Sequence, residues 1–300
     1  MEILKIIVIL FLKECPDDEM LKKKDNKRLD KKPLRASSYS KSLKRQENYV
    51  WYRGIVGLIS FSTILPLNIH TSIEEMARYT WMWPLIGGII GALVGMIGML
   101  SSDLLMFSPL VTAALVYSFA IFFTGFHHLD GLIDLGDALM AHGTPEKKIE
   151  IMRDLRIGTG GIALFFMVAL ITVASIFSIS SLPLINIILV LFISEISAKM
   201  GLVGCCLIST PIGNGTGRHF IEAINFPKFV LITIITTIIG FTALNLTGMI
   251  GIVGGILGGL IIAISVKFNM TYATGDVLGA SNEFARMTSF LAMLVAFIWI

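Results

Sequence analysis

Residues 80–126 read TWMWPLIGGIIGALVGMIGML, then SSD, then LLMFSPLVTAALVYSFAIFFTGF. Each apolar run has about twenty residues, enough to cross ~30 Å of hydrocarbon. Lipid offers open backbone no hydrogen-bond partner, so runs of this kind are helices. The Ser101-Ser102-Asp103 turn folds the second helix back along the first. The same figure recurs at 161–180 and 183–208, parted by Ser181-Leu182, and at 228–247 and 249–266, parted by Gly248. The run 287–300 is short for a full span. The run 51–67 opens on the interface-type residues Trp51, Tyr52 and Arg53 and carries Pro66 near its end, which suits a half-helix or interfacial helix. The pattern predicts an all-α polytopic membrane bundle of about six to eight transmembrane or re-entrant helices, built from helical hairpins.

Composition agrees. Of 300 residues, 55% are hydrophobic and only 15% charged, against about 25% charged in soluble domains. That deficit excludes a soluble globular enzyme, a disordered chain and a nucleic-acid binder. Charge is unevenly placed: residues 1–53 hold 14 Lys/Arg and 8 Asp/Glu, and residues 54–300 hold 10 and 13. Residues 3–12 are apolar but broken by Lys5, too short to span, and followed by no small-residue cleavage site, so they do not read as a signal peptide. Residues 1–50 read as a basic, disordered cytoplasmic arm, either touching anionic lipid head groups or idle. Residues 51–300 read as the membrane-embedded domain.

The hairpin parity sends the long polar segments 127–160, 209–227 and 267–286 out on one side. They carry Lys147, Lys148, Arg153, Arg156, Arg218, Lys267 and Arg286, whereas the tight turns carry no Lys or Arg. The positive-inside rule makes that side cytoplasmic, for a multi-pass protein of the cell membrane. Gly87, Gly91 and Gly95, and again Gly251, Gly255 and Gly259, recur at the four-residue spacing that lets helix backbones approach. Cys205 and Cys206 stand in an apolar run and read as small buried thiols.

Chemistry concentrates in 127–160. Asp130, Asp134 and Asp137 fall within about 60° of one another on a helix. No Lys or Arg occurs between Arg78 and Lys147 to offset them. Like charges at this spacing repel, and a divalent cation is the natural compensator. Hard oxygen donors without thiols suit Mg²⁺ or Mn²⁺. Thr144 is an expected N-cap and Pro145 suits the first turn of a helix running to Asp154 and Arg156. That helix would bring Asp154 to complete the metal shell, with Arg153 and Arg156 either holding phosphate or anchoring to the membrane surface. Gly158-Thr159-Gly160-Gly161 opens the next span and offers backbone N–H groups to an anion. His127 and His128 suit either a general base or interface hydrogen bonds. Glu195 and Lys199, four apart inside a span, are expected to pair with each other. Residues 211–218, with Asn214, form a polar Gly-rich loop, and Thr274-Gly275-Asp276 a second Gly-Asp turn.

Phe126-His127-His128-Leu129-Asp130-Gly131-Leu132, with Asp134 and Asp137, resembles the F-H-x-D-G-L-x-D-x-x-D signature of the cobalamin synthases. Arg153-Asp154 with Arg156-Ile157-Gly158-Thr159 and Gly161 is similar to that family's R-D-x-R-x-G-T-x-G block. Thr274-Gly275-Asp276 with Leu278-Gly279-Ala280 is similar to its T-G-D-x-L-G-A block. The likeness runs from about residue 55 to the end; Ser194-Glu195 departs from it, where members often carry Ser-Arg.

The resemblance implies a Mg²⁺-dependent integral membrane enzyme. Its substrates would be adenosylcobinamide-GDP and α-ribazole or its 5′-phosphate, and its products adenosylcobalamin or its phosphate, and GMP. Asp130, Asp134, Asp137 and Asp154 would hold the metal, and His128 or an acidic residue would take the hydroxyl proton. Arg153, Arg156, Gly158, Thr159, Asn214 and Asp276 would contact substrate. Two rivals fit less well. A CDP-alcohol phosphotransferase expects D-x-x-D-G-x-x-A-R, which is not found here. A transporter places its site near the midplane rather than at one face.

Overall fold

The computed structural model describes residues 51–299 apart from Asn68 and Asn214; the basic arm lies outside the described residues. Among the described residues no strand forms, and the one pairing is an isolated bridge between Pro211 and Ala273. The chain forms helices α1 (Trp51–Ser62), α2 (Ile73–Ala77), α3 (Trp83–Met99), α4 (Pro109–Phe123), α5 (His127–Met140) and α6 (Pro145–Ile151). Then follow α7 (Thr159–Ser178), α8 (Leu184–Ile208), α9 (Thr216–Ala223), α10 (Phe226–Asn269) and α11 (Gly275–Trp299). Four stretches are long and apolar enough to cross a membrane: Thr80–Leu104, Thr159–Ser181, Leu184–Ile208 and Phe226–Asn269. Helices α4 and α5 make a fifth if taken as one span bent by 93°.

Helix α10 has 44 residues and would be about 66 Å long if straight. It is folded instead: Leu244 and Asn245 leave the helical region, Asn245 with φ of +52°. A Cβ on Gly248 would lie 2.0 Å from the Gly240 carbonyl oxygen, so its two arms touch. The hairpin therefore turns at Leu244-Asn245, not at Gly248 as expected. Asn tolerates positive φ better than most residues, and Gly248 is needed where the arms meet.

Helix α8 runs through the middle, and both glycine stripes press on it. A Cβ on Gly87 would lie 2.5 Å from the Glu195 carbonyl oxygen, and one on Gly259 would lie 1.9 Å from that of Gly201. Without these side chains α3 and α10 come within backbone contact of α8, which is how dispersion forces hold helices together where lipid is as apolar as the core.

The charges of the interior settle differently from the sequence expectation. Glu195 pairs not with Lys199 but with Arg286, through Nε–Oε1 at 2.6 Å and Nη2–Oε2 at 3.1 Å. Arg286 Nη1 also donates to Glu283. All three are about 1% exposed. The guanidinium fork can engage two carboxylates at once, which an ammonium on the same helix cannot match. This cluster also corrects the reading of 267–286 as an external segment. Helix α11 begins at Gly275 and runs 25 residues, with Asn282, Glu283 and Arg286 buried inside the bundle. Hydropathy hides this helix because its charges are satisfied by each other.

Two stability predictions follow from this packing. Arg286→Met strands two buried carboxylates and should cost about 3–5 kcal/mol, read as a lower melting temperature in detergent; adding Glu195→Gln should recover part of it. Gly259→Ala should lower the melting temperature more than Gly215→Ala, because a Cβ on Gly215 meets only open space.

Candidate active site

The site begins at a strained turn. Gly125 (φ +66°) and Phe126 (φ +60°) are both left-handed, and between them they turn the chain by 93° from α4 into α5. A non-glycine residue in this region costs about 1–3 kcal/mol. The turn carries the His127–Asp137 stripe away from the line of α4. Two glycines then clamp α5 against its neighbours. A Cβ on Gly131 would lie 2.3 Å from the Asp276 carbonyl oxygen, and one on Gly136 would lie 2.8 Å from that of Gly160. Helix α5 is thus pressed between the first turns of α11 and α7.

This packing gathers carboxylates. The negative charges of Asp130, Asp137 and Asp276 all bear on Asp134. Asp276 joins the stripe from α11, where the sequence reading expected Asp154. Asp154 is instead held by Arg156, whose Nη2 lies 2.6 Å from Oδ2 and whose Nε lies 3.1 Å from both oxygens. Those bonds keep the Asp154 carboxyl below the usual carboxylate range. Helix α6 is capped by Thr144 and opened by Pro145 as expected, but it ends at Ile151, so Asp154 and Arg156 leave it and pair in the loop beyond. Arg153 instead acts on Asp276 across a neighbouring cavity.

Asp137 has a second task. Its Oδ2 accepts the Gly158 N–H at 2.7 Å and its Oδ1 the Gly161 N–H at 2.8 Å. The anion at the start of α7 is therefore supplied by the chain itself, and two N–H groups expected to meet substrate beside Thr159 are engaged. Asn214 lies outside the described residues.

A cavity of about 210 Å³ opens beside the carboxylates. Asp130, Asp276, His127 and His128 line it, with Phe61, Trp83 and Phe220. The Trp83 and Phe220 ring centroids are 4.8 Å apart and those of Phe61 and Phe220 are 5.2 Å apart. Trp83 Nε1 donates to Ser62 at 2.7 Å. One wall is acidic and another is aromatic. The aromatic residues escaped the sequence reading: they lie at 61, 83 and 220, and each looks like ordinary apolar membrane composition.

His128 touches the core as well as the cavity. Lys199 Nζ, fully buried, lies 3.1 Å from His128 Nε2. An ammonium only donates, so a charged Lys199 takes the Nε2 lone pair and leaves the ring hydrogen on Nδ1, which has no partner among the described residues. While Lys199 is charged, His128 Nε2 is engaged and is not free to accept a proton.

The donor set can be weighed for a metal. Among the described residues no three His, Cys, Asp or Glu side chains form a ready cage. Mg²⁺ does not require one, since it is commonly held by one or two carboxylates together with substrate phosphates and water. Asp130, Asp134 and Asp276 are oxygen donors whose mutual repulsion no bonded Lys or Arg relieves, and they fit a hard divalent cation.

The family model described as cobalamin-5-phosphate synthase matches residues 54–294. A protein of Methanosarcina barkeri named adenosylcobinamide-GDP ribazoletransferase is 30% identical over 257 residues, covering 78% of this chain and 89% of its own length. Proteins of the same name from Thermococcus kodakarensis and Caldanaerobacter subterraneus are 29% and 30% identical. They cover 81% and 80% of this chain, and 97% and 96% of their own lengths. No solved structure matches. The matched span takes in the carboxylate stripe, the Asp137-capped start of α7 and the first turn of α11, and the chain belongs to the cobalamin-5-phosphate synthase family.

Proposed function

We propose that this chain is an adenosylcobinamide-GDP ribazoletransferase. It moves the adenosylcobinamide-phosphoryl group from adenosylcobinamide-GDP to a hydroxyl of α-ribazole or its 5′-phosphate. The acceptor oxygen bonds to the phosphorus that carries the corrinoid, the bond from that phosphorus to the bridging oxygen breaks, and GMP leaves with that oxygen. The hydroxyl proton passes to a carboxylate. The observation that carries this reading is that Asp130 and Asp276 line one cavity with Phe61, Trp83 and Phe220, while their charges both act on Asp134.

Each part has a physical task. Asp130, Asp134 and Asp276 would hold Mg²⁺ or Mn²⁺, which when bound neutralises the diphosphate and its leaving group. Asp137 holds the start of α7 against α5 and so keeps the stripe in place. Phe61, exposed and backed by the buried Trp83 and Phe220, offers an aromatic face to a planar base. His128, with Nε2 directed at Lys199, serves to position rather than to accept the proton, and one of the carboxylates takes that part. Lys147, Lys148, Arg153 and Arg218 lie on segments flanking this face, while the tight turns lack basic residues, which supports a cytoplasmic active face in the cell membrane. Lipid surrounds the apolar exterior of the bundle.

Release of GMP from adenosylcobinamide-GDP by purified protein in detergent tests the reading. Turnover should vanish in EDTA and return with Mg²⁺; full activity after stripping divalent ions would exclude the metal. Asp134→Asn should abolish turnover with an unchanged melting temperature. Asp137→Asn should lower the melting temperature as well, because it weakens two hydrogen bonds to a charged acceptor, each worth about 1.5–3 kcal/mol.

A further inference from the structure

A second cavity, of about 160 Å³, is also lined by Asp276. It shares Thr216, Gly217, Gly275 and Asp276 with the first. The residues it does not share include Arg153, Arg218 and Thr274. The two helix starts that frame it are tied together. Ile212 N–H donates to the Ala273 carbonyl at 3.1 Å, and Ala273 N–H to that of Thr210 at 2.8 Å. A Cβ on Gly217 would lie 2.6 Å from the Gly275 nitrogen. The first turns of α9 and α11 therefore stand in backbone contact, and their leading N–H groups lack intrahelical acceptors.

The arginines are only partly committed. Arg218 donates from Nε to Glu222 at 2.7 Å and from Nη1 to the Gly213 carbonyl at 3.3 Å, and among the described residues its Nη2 makes no bond. Arg153 forms no hydrogen bond or ion pair at bonding distance among the described residues; its charge acts on Asp276. Glu222 balances Arg218, and the uncommitted donors of the cavity are the Arg153 guanidinium and Arg218 Nη2. The hydroxyls of Thr216 and Thr274 line the same space. Guanidinium forks, hydroxyls and exposed N–H groups around a small polar cavity are the donors that phosphate oxygens accept from.

We propose that Arg153 and Arg218, with Thr216, form a second anion site that takes a phosphate monoester, separate from the diphosphate beside Asp130 and Asp134. The proposal rests on the reading above for its substrates. Asp276 then borders both phosphate groups, with the reacting hydroxyl presented to the acidic stripe and the monoester held by the arginines. Two molecules of the reaction carry such a group: a 5′-phosphorylated acceptor and the departing GMP.

Two measurements test it. The first needs no turnover: calorimetric binding of inorganic phosphate and of GMP to the full-length protein in detergent. Arg218→Ala and Arg153→Gln should each weaken binding by about tenfold, Arg218→Lys should keep part of it, and Asp134→Asn should leave inorganic phosphate binding in place. The second is steady-state kinetics with α-ribazole and with its 5′-phosphate. If the acceptor supplies the monoester, Arg218→Ala raises KM for the phosphorylated acceptor about tenfold and leaves that for α-ribazole unchanged. If GMP supplies it, product inhibition weakens to the same degree and the two acceptors stay alike. Unchanged phosphate binding, with equal KM for both acceptors and unaltered GMP inhibition, overturns the proposal while leaving the transferase reading intact. Arginine-dependent phosphate binding without GMP release from the wild-type protein overturns the transferase reading and leaves the anion site standing.

Discussion

A charge inside a membrane bundle must find its partner there, and Arg286 finds two. Its bonds to Glu195 and Glu283 lock the register of α11 against α8, since either helix could slide only by breaking bonds that water cannot replace. That register has consequences at both ends. It leaves Lys199, one turn from Glu195 on α8, free to reach His128. It also sets the first turn of α11, with Asp276, against Gly131 of the acidic stripe. The position of Asp276 against the acidic stripe thus traces to an ion cluster buried in the bundle.

The second constraint is the absence of side chains. Gly87, Gly248, Gly259, Gly131 and Gly136 each sit where a Cβ would strike backbone. In the bundle these contacts bring α3 and the folded α10 onto α8. At the site they bring α5 onto both α7 and α11. The same device packs the bundle in one place and positions the acidic stripe in the other.

Between acidic stripe and aromatic wall, the site pairs two demands that oppose each other. Clustered carboxylates repel one another and favour water, whereas aromatic rings pack into a dry, apolar surface. The chain separates them by source: Asp130, Asp134 and Asp276 come from α5 and α11, and Phe61, Trp83 and Phe220 from α1, α3 and α9. The strained turn at Gly125-Phe126 aims the stripe at the space between.

Much of this was legible in residue order alone. Helices and hairpins follow from apolar length, because hydrocarbon forbids unpaired backbone, and the stripe of Asp130, Asp134 and Asp137 follows from helical period. The Thr144 cap and the glycine packing faces are equally local. What no local rule reaches is partner choice. Glu195 prefers Arg286, ninety-one positions away, over Lys199 one turn along; Asp276 rather than Asp154 completes the acidic group; Asp137 fills the helix start that substrate was expected to fill. Helix α11 was hidden for the same reason, since a charged residue reads as solvated until its partner is known. Sequence determined the elements through backbone and solvent; the tertiary structure decided which charges meet, because pairing energy depends on distance through space and not along the chain.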